Sequence, residues 1–348
     1  MTVAMTPRQA GFHMPAEWAP HEATWLAWPS HADLWGPHLE PARAAFVRLA
    51  MAVAAGERVE VLAPDEVSEA QVRAALGSER VRVHRMAFGD IWLRDTAPLF
   101  LVGREGELAS VRFSFNGWGG KYVLEHDDCV AEGIATLQGA RAFKMPFVLE
   151  GGAIEVDGEG TVLTTRQCLL RGQRNDAMSE VELERALCDS LGGDKVLWLE
   201  NGLENDHTDG HVDTLTRFVR PGVVVAMESR APDDPNRDVL RALLGELEAM
   251  VDARGRKLRV VRIPSPGRIT DADGRVMPAS YANFYLANAC VVVPTYGSRF
   301  DEEAVHVIGG LFPDRHTVSI DARAVLSGGG AFHCITQQQP RGARAVAP

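Results

Sequence analysis

The 348-residue chain is 46% apolar and 24% charged, the balance of a folded globular protein, which excludes intrinsic disorder. Its net charge of −11 argues against nucleic acid as a partner and suits a small cationic ligand, because phosphate binding needs basic surface. No apolar run reaches the ~18 residues of a membrane helix, and MTVAMTPRQAGFHMP lacks an apolar signal core. No membrane association and a cytoplasmic location are therefore expected.

The N-terminal part reads as an aromatic strand at Thr24 to Trp28 stopped by Pro29, a helix from His38 to Ala55, and a strand from Val59 to Pro64. From there a pattern recurs, in which a helix leads to a β-branched strand and then to a hairpin. The helices are expected near Glu66 to Leu76, His126 to Leu137, Ser179 to Leu191, Asp238 to Asp252 and Asp301 to Leu311. The hairpins follow as IWLRDTAPLFLVGREGELASVRF, LEGGAIEVDGEGTVLTT, DGHVDTLTRFVRPGVVVAM and YANFYLANACVVVPTYG. A fifth arm, GGGAFHCITQQQP, has no second strand. Pairing of ATWLAWP with that arm would close the array and remove an exposed edge.

The spacing of roughly 50 to 65 residues suits a propeller-like array. No Pro/Gly/Ser linker divides the chain, so one α/β domain over residues 1–348 is expected.

Chemistry-bearing residues collect at the starts of these hairpins. Trp92 and Asp95 stand in the first and Glu150 precedes Gly151-Gly152 in the second. His207, Asp209, His211 and Asp213 alternate through HTDGHVD in the third, and would share one face if that run is extended. Cys334 follows the run Gly328 to Gly330, which lets backbone approach a ligand closely. The five cysteines are scattered without a CxxC pair, which argues against a disulfide framework or zinc ribbon and for a reducing compartment.

A guanidinium is a planar, cationic fork best held by two carboxylates. Its central carbon is a poor electrophile, so a thiolate is a better attacking group than water. One histidine can protonate the leaving amine and later deprotonate water. Two aspartates, a glutamate, a histidine and a cysteine thus suffice to hydrolyse a guanidine with no metal and no cofactor.

The segments WLRDTAP, FNGWGG, EGGAIEVDGEGTVLTT, DGHVDT and GGGAFHCITQQQP, spread from about Trp18 to Pro340, resemble those of the agmatine deiminase and bacterial peptidyl-arginine deiminase family. The resemblance implies a five-bladed α/β propeller of the guanidine-modifying superfamily, an amidino-cysteine intermediate, and a homo-oligomer. It implies Cys334 as nucleophile, His211 as acid and base, and Glu150 as the carboxylate assisting it. Asp95 and Asp213 would grip the guanidinium, with Trp92 and Trp118 lining the channel. The expected reaction is hydrolysis of agmatine to N-carbamoylputrescine and ammonia, a step towards putrescine; deimination of peptidyl arginine or another guanidine is the alternative.

The chain departs from the agmatine-type pattern at three places. His207 in DHTDGHVDT stands where an acidic residue is expected near the distal amine, Ala331 and Phe332 replace Asn and Ile, and Glu155 replaces His. The DxHxD run at Asp209 to Asp213 also fits a metal-dependent ureohydrolase, but no second ligand run accompanies it.

Overall fold

The alternation of helix and strand resolves into five small mixed sheets among the described residues, which in the computed structural model are 5–171 and 173–342. The ends of the expected 1–348 domain, residues 1–4 and 343–348, and residue 172 lie outside them. Four sheets share one plan, an antiparallel hairpin followed by a helix and a parallel third strand. In the first, Leu99–Gly103 and Leu108–Ser114 form the hairpin, Asp127–Gln138 is the helix, and Arg141–Val148 the parallel strand. The second uses Ile154–Val156, Thr161–Thr165 and Lys195–Leu199, and the third Thr216–Arg220, Val223–Glu228 and Arg259–Pro264. The fourth uses Tyr285–Leu286, Cys290–Thr295 and His316–Asp321. Each helix and its following strand therefore complete the sheet of the hairpin before them, not the one after.

The fifth sheet is closed by the two ends of the chain. Gln337–Pro340 pairs antiparallel with His21–Ala27, which continues in parallel to Arg58–Ala63 and Val81–Arg85. The register sets Gln337 opposite Trp25 and Gln338 opposite Thr24, so the expected pairing of ATWLAWP with the cysteine segment is observed. A two-residue strand, Phe12–His13, caps the first sheet and has no sequence signal of its own.

Local chemistry explains the element ends. Ser179 and Glu182 form a reciprocal capping box for the helix Glu180–Leu191, and Gly192, at φ 70°, stops it in a conformation that favours glycine. Central strands such as VVVAME are β-branched and almost wholly buried, as expected of parallel-sheet interiors. Burial is graded across every sheet. The first hairpin arm is buried, whereas the outer strand His316–Asp321 is largely exposed and Val81–Arg85 is half-buried. Among the described residues no helix is long and apolar enough to cross a membrane.

The informative residues do not lie in the first arms, as their spacing suggests, but in turns just ahead of them. IWLRDTAP contains the short helix Leu93–Thr96, and Glu150 precedes a 3₁₀ turn at Gly151–Ala153. HTDGHVD is likewise not extended. Asp209 and Gly210 take positive φ of 65° and 92°, and Val212–Thr214 is a 3₁₀ turn. The four alternating residues therefore do not share a face.

Candidate active site

Five turns, one ahead of each inner strand, converge beside a 220 Å³ pocket whose lining includes Asp95 and Cys334, with Glu150, His211, Asp213 and Asn283 buried behind them. They bring Asp95, Glu150, His211 with Asp213, Asn283 and Cys334 together. Gly152 marks the convergence. A Cβ there would lie 2.6 Å from His211 Nδ1, 2.9 Å from Asp95 Oδ1 and 3.1 Å from Asp213 Oδ2, so only glycine fits between them.

Cys334 is almost fully buried, with its thiol facing the pocket. Asn283 Nδ2 lies 3.1 Å from the sulfur, and its Oδ1 accepts from the Cys334 backbone N–H at 3.3 Å, so one amide fixes both ends of the residue. Asp213 Oδ2 is 3.7 Å from the sulfur. Gly330 is required here, because a Cβ would sit 2.9 Å from that sulfur and 2.8 Å from Trp92.

Asp95 accepts from Trp118 Nε1 at 2.8 Å and from the Gly152 N–H at 2.9 Å. Asp213 Oδ2 is held 2.6 Å from His333 Nδ1, while its Oδ1 is buried without a partner. His211 is also buried, and neither ring nitrogen is hydrogen-bonded. Asp95 is 3.8 Å from Nδ1 and Glu150 3.9 Å from Nε2, ion-pair distances too long for hydrogen bonds. Glu150 is locked by Arg174, whose Nε donates to it at 3.0 Å.

Burial opposes the His211 imidazolium, but the Asp95 charge, with Cys168 and Glu150, outweighs it and raises its pKa well above the ordinary value. Burial pushes the Cys334 thiol well up, and the charges of Asp213 and Asp95 push the same way. Burial also raises Asp95, against the pull of His211. Asp213 and Glu150 go down despite burial, the first through its bond to His333 and the second through His211 and Arg174. These directions favour the neutral form of the Cys334 thiol and the protonated form of His211.

The sign of the His211 shift makes a prediction. A raised histidine pKa adds stability that is fully present below its unfolded value and lost as pH rises through the folded one. The Tm of the wild type should therefore fall relative to that of His211→Gln as pH is taken from about 6 to about 10. A Tm difference that stays constant across that range would contradict the assignment.

The remaining candidates divide. Trp92 and Trp118 both line the pocket; Trp92 stacks on Trp35 and donates to Asp90 at 2.8 Å. His207 lies at the pocket's outer end, stacked on Tyr122. Asp209 leaves the site altogether to bind Lys121 at 2.6 Å and Arg174 at 2.5 Å. Arg94, the sequence neighbour of Asp95, turns the other way towards Gln338 and Glu17. Asn283, His333, Glu17 and Arg174 were not legible as site residues. Asn283 stands in the turn ahead of the fourth hairpin, as Cys334 and Asp213 stand ahead of their inner strands, but no spacing marks it out.

The DxHxD metal-ligand reading does not survive this geometry, because Asp209, His211 and Asp213 point to three different partners. One grouping among the described residues has ligand-like spacing, Glu150, Cys168 and His211, with ligand atoms within 4.8 Å of one another. The Arg174 guanidinium on Glu150 disfavours a cation there.

The Cys334 thiol, Asp95, Asp213 and His211 thus lie close together at the inner side of a pocket walled largely by aromatic and leucine side chains, a grouping of the kind found in thiol enzymes that act without a metal. The chain belongs to the Porphyromonas-type peptidyl-arginine deiminase family, whose profile it matches over residues 13–340. It is 42% identical to an agmatine deiminase of Pseudomonas aeruginosa, over 96% of this chain and 97% of that one. It is 41% identical to the agmatine deiminase of Stutzerimonas stutzeri, over 97% and 98%. The solved agmatine deiminase of Enterococcus faecalis superposes with a TM-score of 0.91 at 35% identity, covering 97% of this chain and 98% of that chain. A Campylobacter jejuni agmatine deiminase solved with substrate bound gives a TM-score of 0.87 at 28% identity, covering 96% and 97%.

Proposed function

We propose that this chain is an agmatine deiminase, a hydrolase of C–N bonds that converts agmatine and water to N-carbamoylputrescine and ammonia on the way to putrescine. The observation that carries the reading is the convergence on Gly152 of Asp95, Asp213 and His211 beside the Cys334 thiol. Relatives of about 40% identity over nearly the whole chain support it.

The guanidinium docks between Asp95 and Asp213, with its alkyl chain along Trp92 and Trp118. Docking a cation offsets the two charges that oppose ionisation of Cys334, so the thiol proton passes to solvent water. The thiolate adds to the central carbon, and the His211 imidazolium gives its proton to the departing ammonia. This leaves an amidino-cysteine that carries the positive charge. Water then adds to the same carbon while neutral His211, backed by Glu150, takes its proton. Collapse breaks the C–S bond and releases the N-carbamoyl product, whose O–H proton returns to the Cys334 sulfur and restores the thiol; the proton that the thiol first gave up ends on ammonia in solvent as ammonium.

The graded burial of five sheets and their closure by the two chain ends support a five-bladed propeller forming a single domain. A cytoplasmic homo-oligomer acting on a small cationic guanidine completes the reading. Product analysis tests it. Agmatine should yield ammonia and N-carbamoylputrescine whether or not EDTA is present, and acid quenching during turnover should trap an amidino adduct on Cys334. Urea and putrescine as products would sink it. Turnover of arginyl peptides but not agmatine would move the substrate to peptidyl arginine.

A further inference from the structure

The outer end of the pocket is built unlike its catalytic end. Its walls are Tyr122, His207, Leu34, Leu124 and the outer edges of Trp92 and Trp118. The Tyr122 and His207 rings stack at 5.8 Å with planes 19° apart, and the Tyr122 hydroxyl lies 3.3 Å from His207 Nδ1. Trp118 meets Tyr122 edge-on at 6.2 Å. The imidazole is wedged against the cysteine loop at Gly329, whose φ is 110° and where a Cβ would lie 2.8 Å from His207 Nδ1. His207 thus joins the loop bearing Cys334 to the loop bearing Tyr122.

The carboxylates that line the pocket or flank His207 in the chain are already engaged, and Asp271 and Asp273 lie farther out in the adjoining groove. Asp206 accepts from Thr208 and from the Gly210 and His211 N–H groups. Asp209 is taken by Lys121 and Arg174. Asp90 is taken by Trp35, Trp92 and the Ile91 N–H. Burial lowers the pKa of His207, with Lys121 helping and Asp206 opposing, which favours the neutral ring. Beyond His207 and Ser327 the pocket abuts a groove of 750 Å³, so bulk at the far end of a substrate has somewhere to go.

We propose that the Tyr122–His207 pair, with Trp92 and Trp118, is an aromatic clamp that holds the distal cation of the substrate by its π faces instead of by a carboxylate. The clamp rests on the deiminase reading and narrows its substrate class. π faces attract a diffuse cation without needing its N–H groups, so the site accepts guanidines whose far end is a primary or a methylated ammonium. A carboxylate would instead demand hydrogen-bond donors and reject full methylation.

The test compares three guanidines of equal chain length, ending in ammonium (agmatine), trimethylammonium and neutral tert-butyl. With the wild type, kcat/KM for the trimethylammonium compound should lie within about fivefold of agmatine, and the tert-butyl compound about tenfold or more below both. Tyr122→Leu should erase the gap between trimethylammonium and tert-butyl. His207→Glu should restore a preference of about tenfold for agmatine over its trimethyl analogue. Turnover of agmatine with a hundredfold loss on trimethylation, or equal rates for trimethylammonium and tert-butyl, would overturn the clamp alone. Absence of agmatine turnover together with failure of every analogue would overturn the deiminase reading and the clamp with it.

Discussion

Asp213→Asn is expected to cut turnover of agmatine by about a thousandfold or more while making Cys334 easier to alkylate. The two effects have opposite signs because Asp213 plays opposite parts with and without substrate. Its Oδ1 is buried with no partner, and so is free to accept from a docked guanidinium. An amide nitrogen at that place would meet the substrate's N–H groups donor to donor, and one charge-assisted contact would be lost. A thousandfold corresponds to about 4 kcal/mol of transition-state stabilisation. In the free enzyme the same charge opposes ionisation of Cys334, second only to burial. Removing it increases the thiolate fraction at neutral pH, so iodoacetamide should label the variant at least severalfold faster. The amide oxygen can still accept from His333, and the fold should be little disturbed. Slower labelling, or turnover within about tenfold of wild type, would show that Asp213 is not the guanidinium's partner.

What could be read from the sequence follows the range of the forces involved. Hairpins, helices and the pairing of the chain ends are set by periodicity, turn glycines and the cost of an open edge, which are local or nearly so. Cys334, His211, Asp95, Asp213 and Glu150 stood out because polar groups ahead of apolar strands need a reason to be there. The face-sharing of His207, Asp209, His211 and Asp213 failed because Asp206 ties that loop into a turn by accepting from Thr208, Gly210 and His211. That turn delivers His211 and Asp213 inward, sends Asp209 to Arg174 and leaves His207 at the mouth. Asn283, His333 and Glu17 act across 51, 120 and 316 residues of sequence, and no spacing rule spans such gaps. Arg94 shows the converse. It is adjacent to Asp95 in sequence, yet one short helical turn points the two side chains at different partners.

Arg217→Met is expected to cost about 3–5 kcal/mol of folding stability, the usual result of breaking a buried ion pair from one side. Arg217 is wholly buried in the inner strand Thr216–Arg220. It donates to Glu17 at 2.7 Å, Glu155 at 2.8 Å and the Phe284 carbonyl at 2.7 Å, and its guanidinium lies over the Phe284 ring at 4.9 Å. Those contacts bring residues of the second, third and fourth sheets together with the N-terminal segment. Glu17 also meets His333, which in turn holds Asp213, so the ionic cluster runs directly beneath Asp213 and Cys334. Methionine fills much of the volume but leaves Glu17 and Glu155 facing one another without their shared cation. Glu17 keeps His333 nearby, whereas Glu155 keeps only the Phe218 N–H. Burial already raises the pKa of Glu155 with Arg217 present, and losing the cation raises it further. A carboxyl raised in the folded state favours folding as pH falls towards its unfolded value, so the deficit of the variant should shrink in acid. Adding Glu155→Gln should recover part of the loss at neutral pH, since one stranded charge is removed. Urea unfolding of the single and double variants at neutral and acid pH reads all three expectations. A loss below about 1 kcal/mol for Arg217→Met would mean that the cluster beneath the site is not what holds these sheets together.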